Sequence, residues 1–416
     1  METEENQTKT AGKVRLWVIT ELYYPEETST GYYLTKLAEH LTDDFEVKAI
    51  CGQPNYSRRG TRAPKREFHN KVEIFRAAST TLDKNVILFR LVNMATLGLS
   101  ILILSLRHFR RGDRVLVVTT PPVLPFMAAV AALSRGSAYT LLIHDNYPEI
   151  LVAVGKAKPG SLFVSIADRF NRWLFKYAAG IIVVGRDMVD LVARKSNGLD
   201  VPIAYIPNWA ELETVRPLSR VGNPLLHELG LIEKFVFLYA GNMGFPNDIE
   251  SIVECADRMR TNERVHFVFL GNGVKRKWLS NEIEKRSLSN VTLLDPRPRS
   301  DQIQFLNACD VGLVSLVDRM KGVSMPSRTY NILAAGKPIL AMTEPESELS
   351  LVVSETNAGI VVPPNHPDQL AEAIGRFLSM NSVELTEMGE RARNAAVTQY
   401  SIEVAVESYR SVLKGR

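Results

Sequence analysis

Residues 235–244, Phe-Val-Phe-Leu-Tyr-Ala-Gly-Asn-Met-Gly, decide the fold. Six apolar residues without polar alternation read as a strand buried on both faces, and such strands belong to parallel sheets covered by helices. Gly241 and Gly244 follow at once, which puts a loop at the carboxyl end of the strand, where open parallel sheets bind ligands. The pattern repeats downstream. The run 265–270 (VHFVFL) passes into Gly271-Asn272-Gly273, and apolar runs at 291–294, 311–315 and 338–342 alternate with helical segments. Upstream, runs at 14–20 (VRLWVIT), 47–51, 115–119 (VLVVT), 139–144 (YTLLIH) and 181–184 do the same, with an amphipathic helix near 32–41. Strands alternating with helices define an α/β chain with two Rossmann-like, doubly wound parallel sheets.

At 416 residues the chain has the length of two domains. The expected division is an N-terminal domain over 1–210, a linker over 211–230 without strand runs, and a C-terminal domain over 231–400. The closing helix, 401–416, is expected to cross back onto the first domain. Hydrophobic residues make up 45% and charged residues 23%, which excludes disorder and fibrous repeats. Three cysteines, Cys51, Cys255 and Cys309, form no CxxC pair, so neither a disulfide framework nor a structural zinc site is expected. The opening METEENQTKT is acidic and polar, unlike a secretory signal, which points to a cytoplasmic protein.

The net charge of +4 conceals a polarity. Residues 1–210 hold 27 Lys and Arg against 20 Asp and Glu, whereas the remainder holds 23 against 26. Between 48 and 114 there are 14 basic and 4 acidic residues. Inside that basic stretch lies 86–106 (VILFRLVNMATLGLSILILSL), 21 residues interrupted mainly by Arg90, Asn93 and Ser100. Its length permits a membrane span, while Arg90, Asn93 and Ser100 suggest a weakly polar stripe that a buried or surface-lying helix would use. Arg58, Arg59 and Arg62 precede it and Arg107, Arg110 and Arg111 follow it. Apolar surface beside arginines fits an anionic membrane face, so the expected location is the inner face of the cell membrane, by peripheral or monotopic attachment. Nucleic acid is not an expected partner.

Chemistry is expected where strands end. The loop 21–31 leads through Thr28-Ser29-Thr30-Gly31 into a helix, without the GxGxxG dinucleotide fingerprint. The run 139–144 ends in His144-Asp145-Asn146-Tyr147-Pro148-Glu149. His144 can hydrogen-bond a sugar, and Asp145 or Glu149 can orient a hydroxyl or take its proton; Asp145 can equally cap the next helix. Two glycine loops at equivalent points, 241–244 and 271–273, suggest a nucleotide cleft. The segment 322–331 (GVSMPSRTYN) feeds a helix with Ser327 and Arg328 at its start, which suits a diphosphate. With no DxD and no HExxH, neither a metal nor another cofactor is expected.

Taken together, Pro25 to Gly31, HDNYPE at 144–149, IPNW at 206–209, YAGNMG at 239–244, LGNG at 270–273 and PSRTYNILAAGKPIL at 326–340 resemble the retaining GT-B glycosyltransferases of family 4. The nearest likeness is the branch that builds O-antigen, capsule and exopolysaccharide. The resemblance covers nearly the whole chain and implies a GT-B fold, two Rossmann-like domains facing across a cleft. It further implies a nucleotide-sugar donor, UDP-linked and carrying an N-acetylated amino sugar, and a polyprenyl-diphosphate-linked glycan acceptor. By position, His144 and Asp145 would lie at the reacting sugar and Arg328 at the leaving diphosphate. Gly31, Gly241, Asn242, Gly271, Gly273, Arg297, Ser324, Met325, Ser327 and Asn331 would line the donor site. Glu149 and Asn208 would face the acceptor. The chain departs from the family where a pair of glutamates is usual, with Val323 and Asn331 in their places, and where Arg and Lys usually follow the first strand of the second domain, with Asn242 and Asn247 instead. Asn331 is expected to accept a ribose hydroxyl through its amide oxygen. A nucleotide-sugar 2-epimerase on the same fold and a non-catalytic sugar-nucleotide-binding subunit are the rival readings.

Overall fold

A computed structural model of the chain describes residues 12–54, 62–82 and 86–415. Arg58 and Arg59 lie outside the described residues. The chain divides into two compact units, one running to Leu142 and including the chain end from Leu413, the other Ile143–Val412.

The first unit opens with β1 (Arg15–Ile19), α1 (Ser29–Leu41) and β2 (Glu46–Cys51). It continues through β3 (Arg66–His69), β4 (Val72–Arg76), α2 (Ile87–His108), β5 (Arg114–Val118), α3 (Leu124–Arg135) and β6 (Ala138–Ile143). Strands follow the order β3-β4-β2-β1-β5-β6, parallel except for β3, which pairs antiparallel with β4. The β3–β4 hairpin escapes sequence reading because β3 has only four residues and a single apolar one, Phe68. It is held by ion pairs of Glu73 with Lys48 and Arg66. Trp17, buried on β1, donates its indole N–H to Asp113 at 2.9 Å. At the chain end, the Lys414 ammonium pairs with Asp44 and its carbonyl accepts from Arg114.

The expected polar stripe on 86–106 exists on α2, and its partner is internal. Asn93 bonds Thr80 and both backbone groups of Leu82, and the Ser100 hydroxyl accepts from the Ala78 amide. Leu97, Ile101 and Ser105 are buried, whereas Leu88, Leu91, Leu99 and Ile103 are exposed. The helix is therefore neither wholly buried nor apolar all round, although it is long and apolar enough to cross a membrane. Arg62, Arg107, Arg110 and Arg111 are exposed.

The second unit runs through α4 (Glu149–Ala153), α5 (Leu162–Lys176), β7 (Gly180–Val183), α6 (Arg186–Lys195) and β8 (Ile203–Tyr205), with β7 and β8 paired in parallel. After α7 (Pro224–Leu229) come β9 (Phe235–Ala240), α8 (Ile249–Arg258), β10 (Val265–Leu270), α9 (Arg276–Arg286), β11 (Val291–Leu294) and α10 (Gln302–Asn307). Then follow β12 (Val311–Ser315), α11 (Arg328–Ala334), β13 (Ile339–Met342), α12 (Glu348–Glu355) and β14 (Gly359–Val362). Three helices close the chain: α13 (Pro367–Ser379), α14 (Ser382–Thr398) and α15 (Ile402–Lys414).

Strands β9 to β14 form a parallel sheet ordered β11-β10-β9-β12-β13-β14. The four strands β9 to β12 lie where the sequence places them, because each is a predominantly apolar run. Phe237, Tyr239, Phe267, Phe269 and Phe377 fill the core. Chain order runs outward on both sides of β9, so the switch point lies at the carboxyl ends of β9 and β12. A crevice opens there in any sheet of this topology.

Candidate active site

The loop after β9 and the loop after β10 touch at that switch point. Gly271 has φ +140°, and a Cβ there would stand 2.1 Å from the Gly241 carbonyl oxygen. Only glycine allows the two strand ends to approach so closely. Gly241 has φ +151°, and a Cβ on it would meet the Arg328 guanidinium at 2.8 Å. The two glycines thus let the loops and the Arg328 guanidinium pack directly against one another.

Arg328 begins α11 and reaches back under the β9 loop. Its guanidinium stacks on the Tyr239 ring, 4.4 Å from the centroid, and Nη2 donates to Asn247 Oδ1. Asn247 is itself buried and fixed to the Asn242 carbonyl, which also accepts from the Tyr239 hydroxyl. Nη1 is enclosed and, among the described residues, has no hydrogen-bond partner. A charged donor in that condition costs free energy unless an acceptor completes it, so an anion beside Gly241 is the natural complement. Asn247, where the resemblance led to the expectation of a cation, serves as the acceptor that aims Arg328. Because α11 has only seven residues, the field at its start comes mostly from this guanidinium.

The second component arrives from the end of β6. Asp145 forms an antiparallel bridge with Ser324, the Asn146 amide donates to the Val323 carbonyl at 2.8 Å, and the Asn146 side chain donates to the Gly322 carbonyl at 2.8 Å. Gly322 in turn gives its N–H to Asp187 at 2.7 Å. His144 and Asp145 are thereby pinned to the loop 322–325 that precedes Arg328, with Met325 buried in it. Desolvation pushes the His144 imidazole down to about 4, so the ring is neutral at physiological pH and offers one N–H and one acceptor nitrogen. Asn146 and Asp187 were invisible as site residues in the sequence, since nothing local marks a side chain whose partner lies well over a hundred positions away.

Other expected residues have different employment. Asn331 is buried; its amide oxygen, expected to receive a ribose hydroxyl, already accepts the Glu211 amide at 2.9 Å, and its nitrogen faces the Glu211 carboxylate at 3.4 Å. Glu211 is also ion-paired to Arg299, whose Nε donates to it at 3.2 Å. The carboxylate missing at position 331 is thus supplied beside it by the segment that follows IPNW, a compensation only the fold could reveal. Arg297 bonds both oxygens of Glu228 at 2.9 Å. Glu149 starts α4 and pairs with Lys195 at 2.7 Å. Asn208 is buried, Asn242 and Asn272 are exposed, and Ser327 caps α11 by position without a side-chain cap bond. Gly31, in the first unit, is buried against Glu26 and Thr28. Among the described residues no group of three His, Cys, Asp or Glu could hold a metal ion.

A second network braces this arrangement. Glu348, buried at the start of α12, accepts from the Arg186 amide and guanidinium and from the Tyr205 hydroxyl at 2.7 Å. These bonds, with those of Asn146 and Asp187, explain why residues from Ile143 onward belong to the same compact unit as the six-stranded sheet.

A parallel-sheet crevice with two facing glycine loops and a half-buried arginine is the kind of site a nucleotide-sugar transferase uses, and similarity to known proteins agrees. Residues 29–209 match the family described as "Glycosyl transferase 4-like domain", and residues 228–395 match "Glycosyl transferases group 1". The chain belongs to the GT-B glycosyltransferases of family 4, in the branch that serves polysaccharide biosynthesis. It is 28% identical over 404 residues to a probable glycosyltransferase, WbjE, of Pseudomonas aeruginosa, covering 96% of this chain and 98% of that one. It is 26% identical to WcaI of Escherichia coli K12, a putative colanic acid biosynthesis glycosyl transferase, over 82% of this chain and 86% of that one. In fold it resembles HepE of Anabaena, solved in complex with UDP and glucose, with a TM-score of 0.71 over 96% of this chain and 99% of that one at 14% identity.

Proposed function

We propose that this glycosyltransferase moves an N-acetylated amino sugar from a UDP-sugar to a polyprenyl-diphosphate-linked glycan, with retention at the anomeric carbon and without a metal. The observation that carries the reading is the enclosed, unpartnered Nη1 of Arg328 beside Gly241. In the transfer, the bond from the anomeric carbon to the β-phosphate oxygen breaks as the acceptor oxygen bonds to the same carbon, and the acceptor proton passes to the departing phosphate. Charge grows on the diphosphate, and a preorganised guanidinium is worth most where charge develops. Neutral His144 can hold a hydroxyl of the donor sugar without competing for the acceptor proton. The complex of HepE with UDP and glucose supports the choice of nucleotide, and the likeness to WcaI supports a polysaccharide acceptor. A carrier embedded in a bilayer also accounts for the exposed apolar side of α2 beside Arg107, Arg110 and Arg111, which places the enzyme on the cytoplasmic membrane surface under this reading.

The test is a mass-spectrometric screen of nucleotide sugars against a short-chain polyprenyl-diphosphate-linked acceptor in the presence of a chelator, with the anomeric configuration of the product read by NMR. Transfer from a UDP-N-acetylhexosamine with retention is the expected result. Epimerised nucleotide sugar without acceptor, inversion, or turnover abolished by the chelator would each overturn the corresponding part.

A further inference from the structure

Helix α5 carries three faces rather than two. Leu174 and Phe175 are buried, with Val164, Ala167 and Asn171 half-buried on the same side, and they anchor the helix. Leu162, Phe163, Ile166 and Phe170 are 77%, 55%, 46% and 57% exposed. At 3.6 residues per turn these four fall, with half-buried Trp173, within an arc of about 100°. Arg169, Arg172 and Lys176 form the third face and border that arc. The loop before the helix adds Lys156 and Lys158, so residues 156–177 hold five basic residues and one acid, Asp168. A large apolar stripe held in water beside a cationic border is unstable as a free surface and calls for a cover.

We infer that α5 lies on an anionic lipid bilayer, its apolar stripe entering the acyl boundary and its arginines meeting the headgroups. This places a membrane contact on the unit that holds the donor site, and it rests on the membrane reading proposed above. Charge decides against a second copy as the cover. A symmetric pair would present the same patch from both sides and bring five cations against five, whereas an anionic surface complements them. Trp173 at the margin of the stripe suits the headgroup level.

The experiment uses the full chain with sedimenting vesicles, either phosphatidylcholine alone or roughly three parts phosphatidylcholine to one of phosphatidylglycerol. The wild type is expected to bind the anionic vesicles, and high salt should weaken the binding without abolishing it, since apolar burial survives screening. A Leu162→Gln, Phe163→Gln, Ile166→Gln variant should bind about tenfold or more weakly. It should keep its thermal midpoint and its turnover on a detergent-solubilised acceptor. Equal vesicle binding by the variant and the wild type overturns the assignment of α5 while leaving membrane association standing. No vesicle binding by the wild type overturns both. A wild-type dimer in light scattering that becomes monomeric in the variant, without vesicle binding, would show that a second copy covers the stripe.

Discussion

Arg328 and the run Arg107, Arg110 and Arg111 carry the same charge in contrasting surroundings. Arg328 lies against an aromatic ring, bonded to one buried amide and enclosed at a nitrogen that has no partner. The other three stand in water at the end of α2. Arg299 falls between them, partly buried and ion-paired to Glu211. A desolvated guanidinium acts at short range on one developing charge, a paired one organises its neighbours, and solvated ones add up as a field that salt can screen. Sequence counts all of them alike.

The contrast can be broken most sharply at Arg328. Arg328→Ala should lower kcat about a hundredfold or more, equivalent to about 2.7 kcal/mol of transition-state stabilisation, with a smaller change in KM. Arg328→Lys should recover only part of this, because an ammonium cannot both bond Asn247 and present a second parallel donor. Near-normal turnover in either variant would remove Arg328 from the reaction.

Glu211→Ala tests the intermediate case. It removes the carboxylate paired with Arg299 and one Asn331 contact, and should cost about 2 kcal/mol of stability, read from denaturant midpoints. Unchanged midpoints would mean that the pair organises nothing.

A third test concerns His144. Its folded pKa is lowered to about 4 by desolvation, so below its unfolded value near 6.5 the unfolded chain binds a proton that the folded chain does not. Stability from this group is fully present above about pH 6.5 and declines as pH falls towards 4. At pH 5 the loss should be about 2 kcal/mol relative to His144→Gln, measured as the difference in thermal midpoints between the two proteins at pH 7.5 and 5. Parallel midpoints would show the ring to be freely solvated.

The smallest effect belongs to the solvated cations. Arg107→Ser should weaken binding to anionic vesicles by about 1 kcal/mol, roughly fivefold, at low salt and hardly at all at high salt, with turnover on a soluble acceptor unchanged. A salt-independent loss would mean that Arg107 behaves like Arg328.

Legibility in the sequence follows the range of the interactions. The strands of the second sheet could be read because a strand buried on both faces must be apolar at every position. The hairpin β3–β4 could not, since its four-residue edge strand is tied down by the Arg66–Glu73 ion pair rather than by an apolar run. The glycine loops and Arg328 were legible as residue types at strand ends. The duties of Asn247, Asn146, Asp187 and Glu211 were not, because each is defined by a partner distant in the chain. The stripe on α5 was missed for a different reason: its apolar residues have helical spacing, and spacing does not reveal which of two apolar arcs faces the core.

By itself, the sequence determined an α/β chain with two parallel sheets, ligand loops at the carboxyl ends of β9 and β10, and a basic, apolar stretch around α2, because these follow from local periodicity and composition. Tertiary structure decided which cation is enclosed, that Asn247 aims it, and that the Glu211 carboxylate stands beside Asn331. Those outcomes depend on which side chains meet across the fold, and their energies come from burial and pairing that residue identity alone does not fix.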